Sequence, residues 1–207
     1  MAENRVFVGP FQLGKATLPR MRIGDTWYRT IWPSDDRRTV EIIDQTLLPH
    51  VFQTVTLSSV DDAAEAIRNM RVRGAPLIGA TAAYCVCLGL IEDPSDGSFD
   101  HAVETLQKTR PTAVNLRWAL SEMSNAVRGL PEPERVDAAW SRAADICDED
   151  VATCRSIGRH GLEVFRGIER KMAGSPLNVL THCNAGWLAT VDWGTALAPI
   201  YMAHDEG

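Results

Sequence analysis

The sequence predicts an α/β protein overall, in which a mainly helical N-terminal domain with a small β-hairpin region precedes the start of a truncated Rossmann-like parallel-sheet domain. Three observations predict this architecture. Apolar residues recur at helical spacing through most of the chain from residue 60 to 172. Runs rich in β-branched and aromatic residues come before them, and a strand-like run followed by a helix-compatible run comes after them. We therefore predict two domains. Residues 1–172 form the mainly helical domain, and residues 173–207 form the first βα unit of a Rossmann-like domain whose remainder is absent.

The composition is typical of an ordinary globular chain. Of its 207 residues 45% are hydrophobic and 23% charged, which is enough to bury one sizeable core. The net charge of −6 argues against a general nucleic-acid or anionic-membrane surface, so any anionic ligand must meet local arginines. The five cysteines include no C-x-x-C pair, which suggests neither a disulfide framework nor a metal site. We expect a cytoplasmic protein with no metal, nucleic-acid or membrane partner.

The early part of the chain predicts a lead-in, a hairpin and a first helix. Residues 1–20 show no clear period and no signal-peptide core, so an irregular arm without export is expected. The runs Trp27–Trp32 and Thr39–Ile43 flank a turn-rich tetrad and predict a β-hairpin. A serine cap and early acidic residues then predict a helix from Val60 to about Met70.

Helical patterns dominate the middle of the chain. They cover 75–91, about 99–109, about 116–129 and about 134–172. The first is an uncharged run of about 17 residues that contains proline and glycine, which fits a buried helix better than a membrane span. The last carries a continuous apolar stripe, so its Cys147 and Cys154 are interpreted as buried small hydrophobes and not as ligands or redox groups.

The pattern changes at Ala173–Pro176, which breaks the long helix. The run Leu177–His182 has the length and branched content of a strand, and Cys183–Gly186 ends it. Residues 187–204 are again apolar and helix-compatible. A strand followed by a helix is how a doubly wound domain begins. A parallel strand without neighbours leaves its edges unpaired and the stretch 187–203 exposed, so we expect either that a separate or cleaved chain supplies the missing half or that the last thirty or so residues are poorly ordered or abnormally paired with a partner.

The run Arg71–Pro76 is the first candidate site. A glycine joint there leads into a helix whose first turn contains proline. Free amides at a helix N-terminus, together with Arg71 or Arg73, make a cradle for phosphate or carboxylate. The alternative is that these arginines pair with acidic residues on the surface.

The run Arg110–Asn115 is the second candidate site. It again places an arginine beside a helix N-terminus, and Thr112 or Asn115 is available to cap that helix. The alternative is that Arg110 is a cation that complements the C-terminal dipole of the preceding helix. Two such joints can grip one ligand, so convergence of the two sites would favour binding.

Cys183 is the third candidate, because it follows the predicted strand at the edge where open α/β sheets bind ligands. The Asn-Ala-Gly turn after it can aim backbone amides at the sulfur or at a ligand. A buried, inert cysteine is the alternative. Neighbouring residues on a strand point to opposite faces, so His182 is interpreted as structural or supporting and not as part of a Cys–His dyad.

Five runs resemble the signatures of the methylthioribose-1-phosphate isomerase family. They are Met70–Gly79, Arg110–Leu116, Thr181–Gly186, Asp44–Pro49 and Gly194–Ile200. The resemblance extends from about residue 25 to the end. It implies interconversion of 5-methylthioribose 1-phosphate and 5-methylthioribulose 1-phosphate in methionine salvage, without an organic cofactor, by a homodimer. The wider superfamily includes ribose-1,5-bisphosphate isomerases and regulatory subunits of a translation-initiation nucleotide exchange factor.

The resemblance also implies roles for individual residues. Arg73, Gly74, Ala75 and Arg110 would hold the phosphorylated sugar, and Cys183 would be one of two catalytic groups. The second is an aspartate in a segment that the family carries farther along, so we expect this chain to be incomplete and inactive alone. The missing half is expected as a separate or cleaved chain.

The implied chemistry explains the need for two groups. Phosphorylation of the anomeric oxygen prevents spontaneous ring opening, so the enzyme must protonate the ring oxygen, remove hydroxyl protons and move hydrogen from C2 to C1. Two other interpretations remain open. One is a non-catalytic regulatory module that binds a sugar phosphate or a partner, which the Thr-His-Cys-Asn-Ala-Gly signature disfavours. The other is a ribose-1,5-bisphosphate isomerase, whose cysteine lies in a different local motif.

Overall fold

The computed structural model of the chain describes residues 21–172 and 176–207. The predicted lead-in over 1–20 and most of the predicted break at Ala173–Pro176 lie outside these ranges. Five short strands come first, followed by five helices, an irregular stretch and a final helix. The strands are β1 Met21–Ile23, β2 Thr26–Tyr28, β3 Ile31–Pro33, β4 Val40–Ile43 and β5 Thr54–Leu57. The fold is therefore a mixture of helices and small sheets, consistent with the predicted α/β class.

The strands form two antiparallel sheets, β1–β2 and β3–β4–β5. The predicted hairpin is confirmed between β3 and β4, with Ile31 opposite Ile42, and the Ser34 hydroxyl accepts the Thr39 amide proton in its turn at 3.0 Å. Residues 27 and 28 do not belong to this hairpin, since they pair with β1 through a turn in which Gly24 has a φ of +59°. The sequence analysis missed β1 and β5 because three or four residues carry little periodic signal.

The first five of the described helices confirm the predicted helical segments to within about three residues at each end, whereas the last helix begins eleven residues later than the helix-compatible run 187–204. They are α1 Val60–Arg68, α2 Ala75–Glu92, α3 Asp96–Gln107, α4 Val114–Val127, α5 Glu132–Glu169 and α6 Ala198–Glu206. The predicted serine cap of α1 is confirmed, because the Ser59 hydroxyl accepts the Asp62 amide proton at 3.1 Å. Ser95 caps α3 in the same way through Ser98.

Helix α2 is the centre of the core. Every residue from Leu77 to Leu90 is buried, and α1, α3, α4 and α5 pack around it. By length and composition α2 would pass as a membrane span, but most of it is buried among the other helices, as the core interpretation predicts. On α5, Cys147 and Cys154 are buried free thiols, as expected.

The predicted strand over Leu177–His182 is wrong. The structure assigns no strand between residues 176 and 186, and the Leu180 side chain is 97% exposed. The described sheets are antiparallel and lie in the first third of the chain, so this run has no neighbouring strand to satisfy its backbone groups. The Rossmann-like part of the predicted fold is not confirmed, and the domain boundary at residue 172 stays a prediction.

The expectation that the last residues would be exposed or disordered is also wrong for 187–207, because α6 packs along α5. Two glycines of α5 make room for it. A Cβ built on Gly158 would lie 2.7 Å from the Met202 methyl carbon, and one on Gly161 would lie 2.6 Å from the Pro199 Cβ. This close approach covers the apolar stretch that the sequence analysis expected to be solvent-exposed.

Candidate functional site

The first candidate site lies where the chain turns from α1 into α2. Gly74 occupies the cap position of α2 with a φ of +95°, a conformation that favours glycine. Arg71 lies 3.5 Å from the Asp44 carboxylate, so it pairs with an acidic residue as the alternative interpretation expected, although this partner is buried and not on the surface. Arg73 is exposed and forms no ion pair with any residue in 21–172 or 176–207. Arg73, and not Arg71, is therefore the arginine available to an anion at this joint.

Helix α2 begins in a way that leaves its N-terminus open to an anion. Helices α1 and α3 both start with a capping serine and acidic residues in the first turn. Helices α2 and α4 start without a side-chain cap and without an acidic residue in the first turn. Their first amides and the positive end of each helix dipole therefore remain uncompensated by side chains.

The second candidate site is the start of α4. The predicted caps are wrong, because Ala113 occupies the cap position and neither Thr112 nor Asn115 caps the helix. The helix begins two residues earlier than the sequence predicted, which places Asn115 inside its first turn. Arg110 is exposed and lies three residues beyond the end of α3, and its role as that helix's terminal cation stays an alternative.

The two helix starts are adjacent in the structure. A Cβ built on Gly79, one turn into α2, would lie 3.0 Å from the carbonyl oxygen of Asn115. The Arg117 guanidinium donates to the carbonyl oxygen of Pro111 at 2.6 Å and thereby holds the turn that carries Arg110. The two helices therefore contact each other near their starts, and convergence of Arg73 and Arg110 on one ligand stays a prediction. The assignment of Arg73, Gly74, Ala75 and Arg110 to substrate stays a prediction.

The third candidate lies in residues 183–197, which we call the Cys183 loop. Cys183 is exposed and has a φ of +70°. Two residues on, the carbonyl oxygen of Ala185 accepts the amide protons of Thr195 at 3.0 Å and Leu197 at 3.4 Å. A Cβ built on Gly194 would lie 2.4 Å from the carbonyl carbon of Gly186. The loop thus closes on itself just beyond the thiol.

The Cys183 loop packs directly on the glycine joint. A Cβ built on Gly74 would lie 2.4 Å from both the Cα and the carbonyl oxygen of Ala189. Beside this contact, the side-chain amide of Gln45 donates to the carbonyl oxygen of Leu188 at 2.7 Å. The backbone amide of Gln45 donates to the carbonyl oxygen of Arg71 at 3.0 Å. Two of the runs that carry the family resemblance, Met70–Gly79 and Asp44–Pro49, therefore meet the Cys183 loop at one place.

The far end of the loop is anchored to α5 and to the residue before β3. The Val191 amide donates to the Asp150 carboxylate at 2.7 Å, and the Val191 carbonyl oxygen accepts the Thr30 amide proton at 3.1 Å. Burial raises the pKa of Asp150 to about 6. The sequence analysis missed this anchor, although Asp150 lies three residues after Cys147 and four before Cys154, on the buried face of the stripe.

The exposed thiol differs from the other four cysteines. Burial raises the pKa of Cys147 and Cys154 to about 12, and it raises the pKa of Cys85 and Cys87 further. Thiols of that kind are poor nucleophiles and poor proton donors near neutral pH. Residues 21–172 and 176–207 contain no cluster of histidine, cysteine and acidic side chains that could hold a metal ion. Cys183 is the cysteine that this arrangement makes available for chemistry.

Comparison with known proteins identifies relatives of the whole described region. A methylthioribose-1-phosphate isomerase of Brucella anthropi is 58% identical over 188 residues, which cover 90% of this chain and 52% of the relative. A protein of the same name from Escherichia coli is 56% identical, with 90% and 51% covered. The chain thus spans about half the length of the curated relatives that it matches.

Two solved structures share the fold. The 5-methylthioribose 1-phosphate isomerase of Pyrococcus horikoshii superposes with a TM-score of 0.76 at 38% identity, covering 88% of this chain and 51% of that one. The translation initiation factor eIF-2B subunit delta of A. fulgidus gives a TM-score of 0.73 at 34% identity, covering 87% and 52%.

The predicted resemblance is confirmed by these relatives. The signature of the initiation factor 2 subunit family also matches residues 71–207, which include the glycine joint, both helix starts and the Cys183 loop. The chain belongs to the initiation factor 2 subunit family.

Proposed function

We propose that the chain forms part of an aldose–ketose isomerase that interconverts 5-methylthioribose 1-phosphate and 5-methylthioribulose 1-phosphate in methionine salvage. The observation that carries this proposal is the packing of Ala189, in the loop that carries the exposed Cys183, on the Gly74 joint at the start of α2. The names of the relatives support the substrate. A cytoplasmic homodimer that uses no organic cofactor is part of the same proposal.

In this proposal the phosphate lies at the start of α2, beside the exposed Arg73 and Ala75, where the first turn carries no side-chain cap and no acidic residue. Arg110 contributes from the start of α4. Charge-assisted contacts of this kind fix the sugar while its ring opens. The phosphate stays on the C1 oxygen throughout, so the reaction needs the phosphate to be held while protons move at the ring oxygen and at the C2 hydroxyl beside it.

Cys183 is one of the two groups that move protons. The ring oxygen gains a proton as the C1–O bond of the ring breaks, a hydroxyl proton leaves, and one hydrogen passes from C2 to C1. The net change is an isomerisation, so no external oxidant or reductant is consumed. We propose that the second group is an aspartate of a Rossmann-like segment present in the half of the relatives that this chain does not span.

The binding role of the arginines predicts a measurable loss of affinity. Arg73→Ala and Arg110→Ala should each weaken sugar-phosphate binding by about ten- to a hundredfold, since each removes a charge-assisted hydrogen bond worth about 1.5–3 kcal/mol. The protein for this test is residues 1–207 joined to the remaining part of the Brucella anthropi isomerase, which we call the completed chain. Calorimetric titration with the substrate measures the effect.

Arg128→Ala is the matched control, because Arg128 is exposed at the other end of α4, about 20 Å from Arg110 along the helix. It should leave affinity within about twofold. Unchanged affinity in both site variants, with the fold intact by circular dichroism, would refute the proposed phosphate clamp.

A second candidate function is a regulatory module that binds a sugar phosphate or a partner without turnover. The similarity to the eIF-2B subunit delta structure favours it. The two functions differ in one observable, because the isomerase consumes its ligand and the module does not. Incubating the completed chain with 5-methylthioribose 1-phosphate and following product by nuclear magnetic resonance separates them: binding without conversion supports the module, and conversion supports the isomerase.

A further inference from the structure

The peptide unit of Val191 is held from both sides by different parts of the fold. Its amide donates to the Asp150 carboxylate of α5 at 2.7 Å, and its carbonyl oxygen accepts the Thr30 amide proton at 3.1 Å. The Thr30 hydroxyl also donates to the carbonyl oxygen of Thr190 at 2.6 Å. Because Val191 and Thr30 are wholly buried, water cannot replace these partners without opening the packing.

The same peptide is connected to Cys183 through a short chain of contacts. The Thr190 hydroxyl accepts the Gly194 amide proton at 3.1 Å and donates to the carbonyl oxygen of Asp192 at 2.8 Å. Gly194 in turn lies against Gly186, three residues after the thiol. A displacement of Val191 is thereby passed to the backbone that carries Cys183.

The loop between these points also touches the anion-binding joint. Ala189, two residues before Val191, packs on Gly74, and Leu188 accepts the Gln45 hydrogen bond. The Asp150 carboxylate accepts the Val191 amide proton of the loop on one oxygen and the Cys154 thiol proton of α5 on the other. Asp150 is therefore placed to set the spacing between the Arg73-Gly74 joint and the Cys183 loop.

We propose that Asp150 is a positioning residue, whose carboxylate pins Val191 and so holds the Cys183 loop against the Arg73-Gly74 joint. The inference deepens the proposed isomerase function and rests on it for its catalytic meaning. The geometric part, which concerns the loop alone, can be tested without turnover.

The buried carboxyl of Asp150 lowers the stability of the native state when it is ionised. Burial raises its pKa from 3.8 to about 6, against the lowering effect of the Val191 amide. The native state therefore binds the proton more tightly than the unfolded chain. Asp150 therefore contributes its full free energy of stabilisation below about pH 4, where the carboxyl is neutral in both states. This contribution is lost as the pH rises through about 6 and the buried carboxyl ionises. A buried carboxylate that is costly when ionised is typical of a functional position.

The charges around Asp150 come from every element packed on it. Cys154 donates its thiol proton from the same helix at 3.9 Å, Asp192 of the loop raises the pKa of Asp150, and Arg29, from the segment before β3, lowers it. Arg29 is itself 2.8 Å from Asp148 of α5. Ionisation of Asp150 above about pH 6 therefore favours opening of the loop, because burial penalises the charged carboxylate more than the Val191 amide stabilises it.

The test uses the 207-residue chain and two variants at one position. Asp150→Asn keeps an acceptor for Val191 but cannot ionise, and Asp150→Ala removes the acceptor. Asp145→Asn is the matched control, since it removes the same charge from an exposed position of α5. Nuclear magnetic resonance measures the protection of the Val191 amide against hydrogen exchange from pH 5 to 7.5, corrected for intrinsic exchange.

A second readout follows Cys183 itself. A trifluoromethyl label on this exposed thiol reports its surroundings by ¹⁹F chemical shift. All labelled samples carry His182→Gln, because a histidine beside the label is the side chain type that ordinarily titrates in the same pH range. The four buried cysteines are protected from the reagent by the core.

The proposal expects protection of Val191 to fall about tenfold as the pH increases through about 6 in the unmodified chain and in Asp145→Asn, because the closed loop binds the Asp150 proton more tightly than the opened loop does. The label should titrate with the same midpoint. Asp150→Asn should abolish both titrations while keeping the loop protected, and Asp150→Ala should lower protection at least tenfold at pH 7.5. The proposal would be overturned if the Val191 protection still titrated in Asp150→Asn, or if the ¹⁹F chemical shift of the label were the same in the unmodified chain and in both Asp150 variants. If instead the completed chain lacks turnover while these results hold, the isomerase assignment fails and the positioning of the loop stands.

Discussion

Cys183→Ser in the completed chain should reduce turnover by about a hundred- to ten-thousandfold and leave substrate affinity within a few-fold. The change preserves size but replaces a thiol by a much weaker acid, so it removes proton transfer and not binding. Cys183 is the first residue of the loop and is exposed, so the substitution creates no buried cavity. The measurement is steady-state kinetics combined with calorimetric titration of the same preparation.

The split between turnover and affinity is what identifies the role. A serine variant that turns over near the rate of the unmodified protein would show that the thiol is only a packing residue. A variant that loses affinity and turnover together would place Cys183 in the binding contacts, contrary to the role assigned here.

Gly74→Ala should be the most damaging small substitution at the site. The added Cβ would lie 2.4 Å from the Ala189 backbone, and the φ of +95° is strained for any residue with a side chain. Strain and overlap together should lower the free energy of unfolding by about 3 kcal/mol or more. The added methyl group would also push the anion-binding joint away from the Cys183 loop, so substrate affinity should fall as well.

Gly129→Ala separates the two causes, because Gly129 has a φ of +90° but nothing within 4 Å of its added Cβ. It should cost only about 1 kcal/mol, which is the backbone part alone. Urea denaturation of the 207-residue chain compares the two variants. Equal losses would mean that Gly74 is required for its backbone angle and that its packing on Ala189 adds nothing.

The helices could be predicted from the sequence because their signals are local. The stripe of α5 and the cap at Ser59 need only neighbouring residues, and both are confirmed. The run Leu177–His182 also satisfied the local pattern of a strand. A strand, however, needs a partner that local pattern cannot supply, and the described chain offers none beside it.

The candidate site was predicted only as separate pieces. The sequence located the glycine joint, the start of α4 and Cys183, each by its own chemistry. It gave no means of finding that Ala189 packs on Gly74, or that Asp150 anchors Val191 from a position 41 residues away in the chain. Similarly, Gly158 and Gly161 could be recognised as the groove for α6 only once both helices were placed.

The most direct test compares the conversion of 5-methylthioribose 1-phosphate by three proteins: residues 1–207 alone, the completed chain, and the completed chain with Cys183→Ser. The central claim is that these residues supply the thiol and the phosphate grip of an isomerase whose second catalytic group lies in the remaining half. It predicts no measurable turnover by residues 1–207, turnover by the completed chain, and loss of that turnover in the serine variant. Substantial turnover by residues 1–207 alone would contradict it, because the second group would then lie within these residues.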